Sequence, residues 1–567
     1  MSRSVLLKSI VVFLFVGGVS FFANIFLANF LSKESAIYYW DWSTFEVQYS
    51  LVTQGMKHDP VQTLATIYTS LIFHQYSFLI ALFLAPWGFL FGTDRAAYLF
   101  GVLNVFGLPA LLVICAVFWK FITRIDKPTA PIFFIPLVVG ILDPHFWKPI
   151  LQGYYDVAVV LVMGAVWLCV LAQQKNRKTF FSVTAGVFLA LLALMRRWTP
   201  FWSVAFFAAL GVDWLICRAL KKEPVWSMRS ILYCGVAALL SFFLIAPTVF
   251  IHMGTTPYAT LYSAYALGRT HLQLMGDAMI SYGLFGVGLA LYGCSVALRD
   301  NRVRSYAFVF IVQTLLTLFF FTGVQRLDPH HHYPIVLAVI FFESVALWSL
   351  LRKGIASPLR LALAAMVFIL AALNFSQAFI PPVRAQISQS IFFSNVWHDP
   401  LVRHDIPALK ALITFVEETT PRNSPIYVLA SSGILNDDII KYSCRYARLQ
   451  TSLCDRLLPT NHVDRRDGFP KHFFNAEAVI TTSPTQYHLL SRDQKVIGAL
   501  AQALHEKRAV GRAYKKADTV FRLDDGVTAE VYYKIRDPLP EELSDLDEMF
   551  EKNPLWDAPS IFFQGAR

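Results

Sequence analysis

The stretch PVQTLATIYTSLIFHQYSFLIALFLAPWGFLFG, residues 60–92, decides the fold. Its apolar part, from about Tyr68 to Gly92, is long enough to cross a bilayer, which takes about 20 apolar residues. If it crosses, every later segment changes sides. The surrounding sequence is strongly apolar as well: 56% of the 567 residues are hydrophobic and only 15% are charged. That balance is far from a soluble domain and marks a polytopic α-helical membrane protein.

Working outward, spanning runs fall near residues 10–31, 97–119, 131–150, 154–172, 179–196, 199–217, 230–250, 279–298, 305–323, 333–351 and 360–380, eleven in all. Every second joint is basic: Lys120, Arg124 and Lys127; Lys175, Arg177 and Lys178; Arg218, Lys221 and Lys222; Arg299, Arg302 and Arg304; Arg352, Lys353 and Arg360. With the N-terminus inside, all five clusters are cytoplasmic, as the excess of Lys and Arg in cytoplasmic loops requires. A crossing at 68–92 would turn all five outward. The charge pattern therefore predicts that residues 32–96 form one large external loop, in which 60–92 lies in the interface or dips in and returns, broken into short helices at Pro60 and Pro86. The rival is a true span compensated by a helix broken elsewhere. The net charge of +11 is spread over these joints, so nucleic acid is not an expected partner. The first run, behind Arg3 and Lys8, reads as a retained signal anchor, which places the protein in the plasma (bacterial inner) membrane.

After Ile380 comes Pro381-Pro382 and then a tail, 381–567, with no spanning run. Short apolar strands (Ile426 to Ser431, Ala478 to Ser483), a helical IPALKALITFVEE and a hairpin turning at Asp525-Gly526 predict a small α/β domain, external under the eleven-span topology. Five cysteines lie in apolar runs. The other two, Cys444 and Cys454, are close together in this tail and would pair in an oxidising compartment.

Unusual polar residues concentrate in the external joints, where charge at membrane depth is costly and commonly functional. The segment AIYYWDWSTFEVQYS (36–50) crowds aromatic rings around Asp41 and Glu46. LDPHFWKPILQGYYDVAVV (142–160) carries Asp143, His145, Lys148 and Asp156; LMRRWTPFW (194–202) carries Arg196 and Arg197; RLDPHHHYP (326–334) carries Arg326, Asp328, His330, His331 and His332; and Arg269 lies in the 251–278 segment. A carboxylate shielded by rings suits a base, and Arg or Lys suits a phosphate leaving group. Each has a plainer reading: Asp41 and Asp156 as helix caps, Arg196 and Arg197 as snorkelling anchors. Three consecutive histidines cannot share one helical face, so a three-ligand metal site from that run is not expected.

This arrangement resembles the C-type (GT-C) glycosyltransferase superfamily, which includes protein mannosyltransferases and lipid A aminoarabinose transferases that use polyprenyl-phosphate sugars. The resemblance covers roughly residues 1–380: one span, a large first external loop with an acidic motif, then further spans. It implies Asp41 in YYWDWSTFE as the catalytic base, with Glu46 as a helper, and Asp156 in GYYDVAVVLVM as the second-loop acid. From their positions in the expected external joints, Lys148, Arg196, Arg197, Arg269, His330 and His331 are the candidates for donor binding. The implied partners are a polyprenyl-phosphate-linked sugar, a glycan, lipid or protein acceptor, and membrane lipid. Some relatives place a divalent cation between first- and second-loop acids, and Asp41 with Asp156 would be that pair; no cofactor or metal site is assigned. A transporter or flippase for a lipid-linked or anionic solute is the alternative, with Glu343 as the main intramembrane charge. An assembly or receptor protein whose work lies in the tail is a third.

Overall fold

The computed structural model describes residues 3–73, 76–172, 177–352, 358–387, 391–446 and 452–552. Lys175 and Lys353 of the basic joints, and His74 and Gln75 of the deciding stretch, lie outside them, as do the side chains of Arg3 and Lys8. Chain contacts divide the protein into two compact units: residues 1–32, 44–256 and 270–400 in the first, and 33–43, 257–269 and 401–567 in the second.

The first unit is a helical membrane bundle. Among the described residues, eight helices are long and apolar enough to span: Leu14–Leu31, Arg95–Ile122, Lys178–Met195, Pro200–Ala219, Met228–Ile245, Arg304–Thr322, Pro329–Leu351 and Pro358–Phe379. The run expected at 131–150 is a pair, Ala130–Ile141 and Pro144–Gln152, bent by 55°. The run at 279–298 is the second limb of His271–Ile280 and Gly283–Arg299, bent by 91°. The run at 154–172 gives the shorter helix Val157–Leu171, buried almost throughout. A helix enclosed by its neighbours has no lipid thickness to match, which is why its apolar run can be short.

The deciding stretch does not form one helix. Helix α1 is Arg3–Leu31 and α2 is Asp41–His58; α3, Pro60–Phe73, opens at the expected proline, and α4 is Leu79–Phe91. Pro86 sits inside α4 without ending it, so the expectation of a break there is corrected. The interruption falls earlier, between Phe73 and Leu79, where the polar groups are bound elsewhere: Ser77 Oγ donates to the Leu194 carbonyl (2.8 Å) and the Phe78 N–H donates to Ser70 Oγ (2.9 Å).

The polar joints sort to two ends of the bundle. At one end, the Arg124 guanidinium donates to the Leu171 carbonyl (2.7 Å) and lies 4.4 Å from the Tyr306 ring centre, which ties three basic joints together. At the other end, the 143–156, 196–199, 281–282 and 328–333 turns touch one another. Close packing beside it depends on Gly293, where a Cβ would come within 1.8 Å of the Phe342 carbonyl oxygen, so Gly283–Arg299 lies directly against Pro329–Leu351.

The second unit is an α/β domain built on a four-stranded sheet in the order β1-β2-β4-β3, with β1 Ile426–Leu429, β2 Ala478–Ser483, β3 Tyr514–Arg522 and β4 Thr528–Lys534. β1 and β2 are parallel, β2 and β4 antiparallel, and β3 and β4 form the hairpin. Asp525 and Gly526 both take positive φ (55° and 73°), as a tight hairpin turn with a right-handed strand twist requires. Successive side chains face opposite ways. Tyr427, Leu429, Val479 and Tyr532 join a core with the Lys495–Glu506 helix; Ile426, Val428, Ile480 and Val531 join one with the Ile406–Thr419 helix. Cys444 and Cys454 are bridged, with Cα atoms 6.5 Å apart.

This division differs from a boundary at 380/381. Residues 391–400 stay with the helical unit, where Gln377 donates to the Ser394 carbonyl (2.6 Å) and the His398 N–H to the Ala378 carbonyl (3.0 Å). Two segments of the loops expected to be external, 33–43 and 257–269, belong instead to the tail's unit.

Candidate active site

The polar end of the helical unit holds most of the flagged residues. The buried face of α2 presents Phe45, Glu46, Gln48 and Tyr49. Glu46 faces Arg95 at 3.5 Å, and Arg95 also reaches toward the Leu151 carbonyl (3.4 Å). Asp94 caps the helix that carries Arg95 by accepting the Ala97 N–H (2.8 Å). Tyr98 donates to the Gly153 carbonyl (2.7 Å) and Tyr155 to Gln48 Oε1 (2.5 Å). The first loop and the 153–156 turn are thereby held to one another.

Asp156 stands at the N-cap position of Val157–Leu171 but makes no capping hydrogen bond with its side chain. Its carboxylate Oδ1 instead meets Arg196 Nε at 2.7 Å and accepts from Trp198 Nε1 at 3.1 Å, while Oδ2 is buried with no hydrogen-bond partner among the described residues. The plain capping reading therefore fails for this residue. Arg196 ends Lys178–Met195 in an extended conformation that turns it inward, its guanidinium 4.7 Å from the Phe45 ring centre and 5.1 Å from that of Tyr76. A planar cation stacked between rings keeps its N–H fork fixed in direction.

His330, His331 and His332 occupy one turn of 3-10 helix, Pro329–His332. Three residues per turn send them three ways. His330 stacks on Tyr154 (4.2 Å, 15°), His331 meets Trp198 edge-on (5.7 Å), and His332 turns toward His145 (5.3 Å). Four separate stretches thus converge: Glu46, Asp156, Arg196, His330 and His331 lie in one buried cluster.

Other flagged residues fall elsewhere. Arg197 points away from its neighbour and donates to the Leu71 carbonyl (2.7 Å), at the end of α3. Lys148 is half-buried and within the electrostatic reach of Asp328 and Arg326. Arg269 is exposed and belongs to the second unit. Asp41, half-buried, is the first residue of α2 and also counts with the second unit. On a helix, Asp41 and Glu46 are separated by about 140° of rotation, so Glu46 is not a helper on the face of Asp41; it serves Arg95. The charge of Asp41 is felt by Tyr262, whose phenol burial pushes up against the opposing pull of Arg466.

A second polar cluster flanks the first. His145 stacks on Tyr282 (3.7 Å, 12°), and its Nδ1 lies 3.3 Å from Asp143 Oδ1. Asp143, His145, Tyr282, Glu343 and Asn374 line a cavity that offers about 30 Å³ to the centre of a water-sized sphere, room for a water or two.

Among the described residues no three His, Cys, Asp or Glu side chains gather as a metal site. No step is routed through a divalent cation.

Sequence reasoning missed Arg95, Trp198 and Tyr154. Arg95 carried a legible signal: it is a basic residue at a helix start expected to be external, against the charge trend that singled out Arg196. Trp198 and Tyr154 had none beyond their neighbours.

No family model matches the sequence, and no curated protein matches it. Among solved structures the chain is similar to ArnT from Cupriavidus metallidurans bound to undecaprenyl phosphate, with 12% identity, 91% of this chain and 97% of that chain covered, and a TM-score of 0.49. The apo state of the same ArnT gives 14% identity over 93% and 97% of the two chains, with a TM-score of 0.44. The apo Archaeoglobus fulgidus oligosaccharyltransferase gives 12% identity over 82% and 69%, with a TM-score of 0.43.

Proposed function

We propose that this multi-span membrane protein is a glycosyltransferase that moves a sugar from a polyprenyl-phosphate carrier to a hydroxyl of an envelope glycan, lipid or protein, on the external face. The observation that carries this reading is the buried Asp156–Arg196 pair at the polar end of the bundle, contacted by Phe45, Tyr76 and Trp198. A cationic fork held in direction at the edge of the lipid is what a lipid phosphate needs, since the carrier's tail can stay in the bilayer while its phosphate meets the guanidinium.

In the step, Asp41 accepts the acceptor's hydroxyl proton. The acceptor oxygen forms its bond to the anomeric carbon as the bond from that carbon to the phosphate oxygen breaks, and the polyprenyl phosphate leaves with the electron pair, its growing charge met by Arg196. Asp156 orients Arg196, and Arg95 with Glu46 holds the first loop in place.

The test is consumption of radiolabelled undecaprenyl-phosphate hexoses and pentoses by the purified protein, read as release of undecaprenyl phosphate. Release from at least one donor is expected; no release from any of them contradicts the reading. A transporter is the second reading, and the two bent helix pairs and the cavity at Asp143 and Glu343 support it. Donor-independent solute movement in vesicles would favour it.

A further inference from the structure

The second unit contains both the tail and the segment 33–43 that ends in WDW. Several independent contacts hold that segment. The Ser35 N–H donates to the Leu401 carbonyl (2.8 Å) and the Arg403 N–H to the Ser35 carbonyl (2.7 Å), a short parallel bridge. Ile37 is 3% exposed and belongs to the core under the sheet. Tyr39 packs on Gly433 so closely that a Cβ there would lie 2.5 Å from the phenol oxygen. The Trp40 ring lies 4.5 Å from that of His488.

Trp40 has φ of 47°, the left-handed region that bulky residues avoid. Such a conformation persists only where its surroundings enforce it. Here the Trp40 N–H donates to Asp438 Oδ2 at 2.7 Å, and the Trp40 carbonyl accepts from the Ser43 N–H (3.1 Å) and Ser43 Oγ (3.0 Å). The two peptides that flank Trp40 are thus each held, and the next residue is Asp41, the start of α2.

We infer that the C-terminal domain is a positioning device for the first-loop acid, with Asp438 as the positioning residue that sets Asp41 through the Trp40 N–H. The inference rests on the reading of Asp41 as the base. Asp438 touches no substrate; it fixes the backbone turn from which the base projects. The groups that face it are Asp437, Lys441 and His462. Burial and then Asp437 push its carboxyl up to about 6, so near neutral pH the Trp40 N–H is bound by a charged acceptor and at lower pH by a neutral one. The tail's unit therefore supplies the acceptor that holds the turn just before Asp41.

The experiment compares wild type, Asp438→Ala, Asp438→Asn and Asp41→Asn in the full-length protein. Hydrogen–deuterium exchange is read by mass spectrometry over a peptide spanning Ala36 to Phe45, and transfer is read with the donor found active above. Asp438→Ala is expected to speed exchange in that peptide and to lower kcat by roughly tenfold or more with KM near wild type, as for a misplaced catalytic group. Asp438→Asn, which keeps an acceptor oxygen, is expected to restore most of both and to flatten the kcat profile between about pH 5 and 7. Unchanged exchange or unchanged kcat in Asp438→Ala overturns the inference. If exchange rises as expected but Asp41→Asn transfers normally, the assignment of Asp41 as base is what fails, and the positioning role in catalysis falls with it. Should Asp438→Ala not fold, Gly433→Ala, which presses on Tyr39, supplies the same comparison.

Discussion

Arg196 Nε lies 2.7 Å from Asp156 Oδ1, and the two side chains are only 4% and 0% exposed. Removing one partner of such a pair leaves a buried charge uncompensated, which costs about 3–5 kcal/mol, whereas removing both can be nearly neutral. Arg196→Met should therefore lower thermal stability in detergent sharply, and Asp156→Asn added to it should recover part of the loss. Additive losses in the double variant would mean that the two groups do not depend on one another.

Asp438 gives the second unit a signature in pH. Its native carboxyl, pushed up by burial and Asp437 to about 6, binds protons that the unfolded chain, with an ordinary Asp near 3.9, has already released. Its contribution to stability therefore falls as pH rises from about 4 to about 6. Asp437 acts the other way: burial raises its carboxyl, but the His462 hydrogen bond and charge and the Thr460 and Asp438 N–H groups outweigh that and hold it below the usual range. Its contribution is present above the usual Asp range and is lost as pH falls through the lowered value. Melting curves of the full-length protein should show Asp438→Asn relatively stabilised near pH 6 compared with pH 4, and Asp437→Asn relatively destabilised there.

The bridge between Cys444 and Cys454 closes a loop with a sequence separation of 10, for which loop-closure entropy gives about 2–3 kcal/mol. Intact mass with and without reductant should differ by two hydrogens after alkylation is accounted for, and Cys444→Ser with Cys454→Ser should melt earlier. An equal mass in both conditions would show the thiols free.

If the basic end of the bundle is cytoplasmic and the tail external, single cysteines at two exposed sites, Arg302→Cys and Lys410→Cys, should respond oppositely to an impermeant maleimide in intact cells. Lys410→Cys should label and Arg302→Cys should not. The reverse pattern would overturn the external-face assignment.

How much of this was legible follows from what each feature demands of the chain. A lipid-facing span must be long and nearly free of charge, so the eight long apolar helices among the described residues all fall on runs that composition marks, which number eleven. The 91° bend at Ser281-Tyr282 did not, since no proline marks it; the chain turns there at Gly283, with φ of 70°, against the Phe393 backbone. Asp156 and Arg196 were each visible as charges at costly positions, yet their pairing was not, because 40 residues separate them and nothing local records a partner. Nor could the sequence tell Arg196 from Arg197: neighbours on a chain point in different directions, and only the tertiary fold turned the first onto Asp156 and the second onto Leu71. The membership of 33–43 in the tail's unit was invisible for the same reason.

The central claim is that Asp41 is the base of a glycosyl transfer, and single-turnover transfer by Asp41→Asn measures it most directly. The substitution keeps the side chain's shape and removes its basicity. With donor bound and acceptor in excess, transfer should slow by roughly 10²-fold or more, the contribution of a general base, while donor affinity stays near wild type. Transfer at the wild-type rate by Asp41→Asn would contradict the account and leave the aromatic segment around it an interfacial belt.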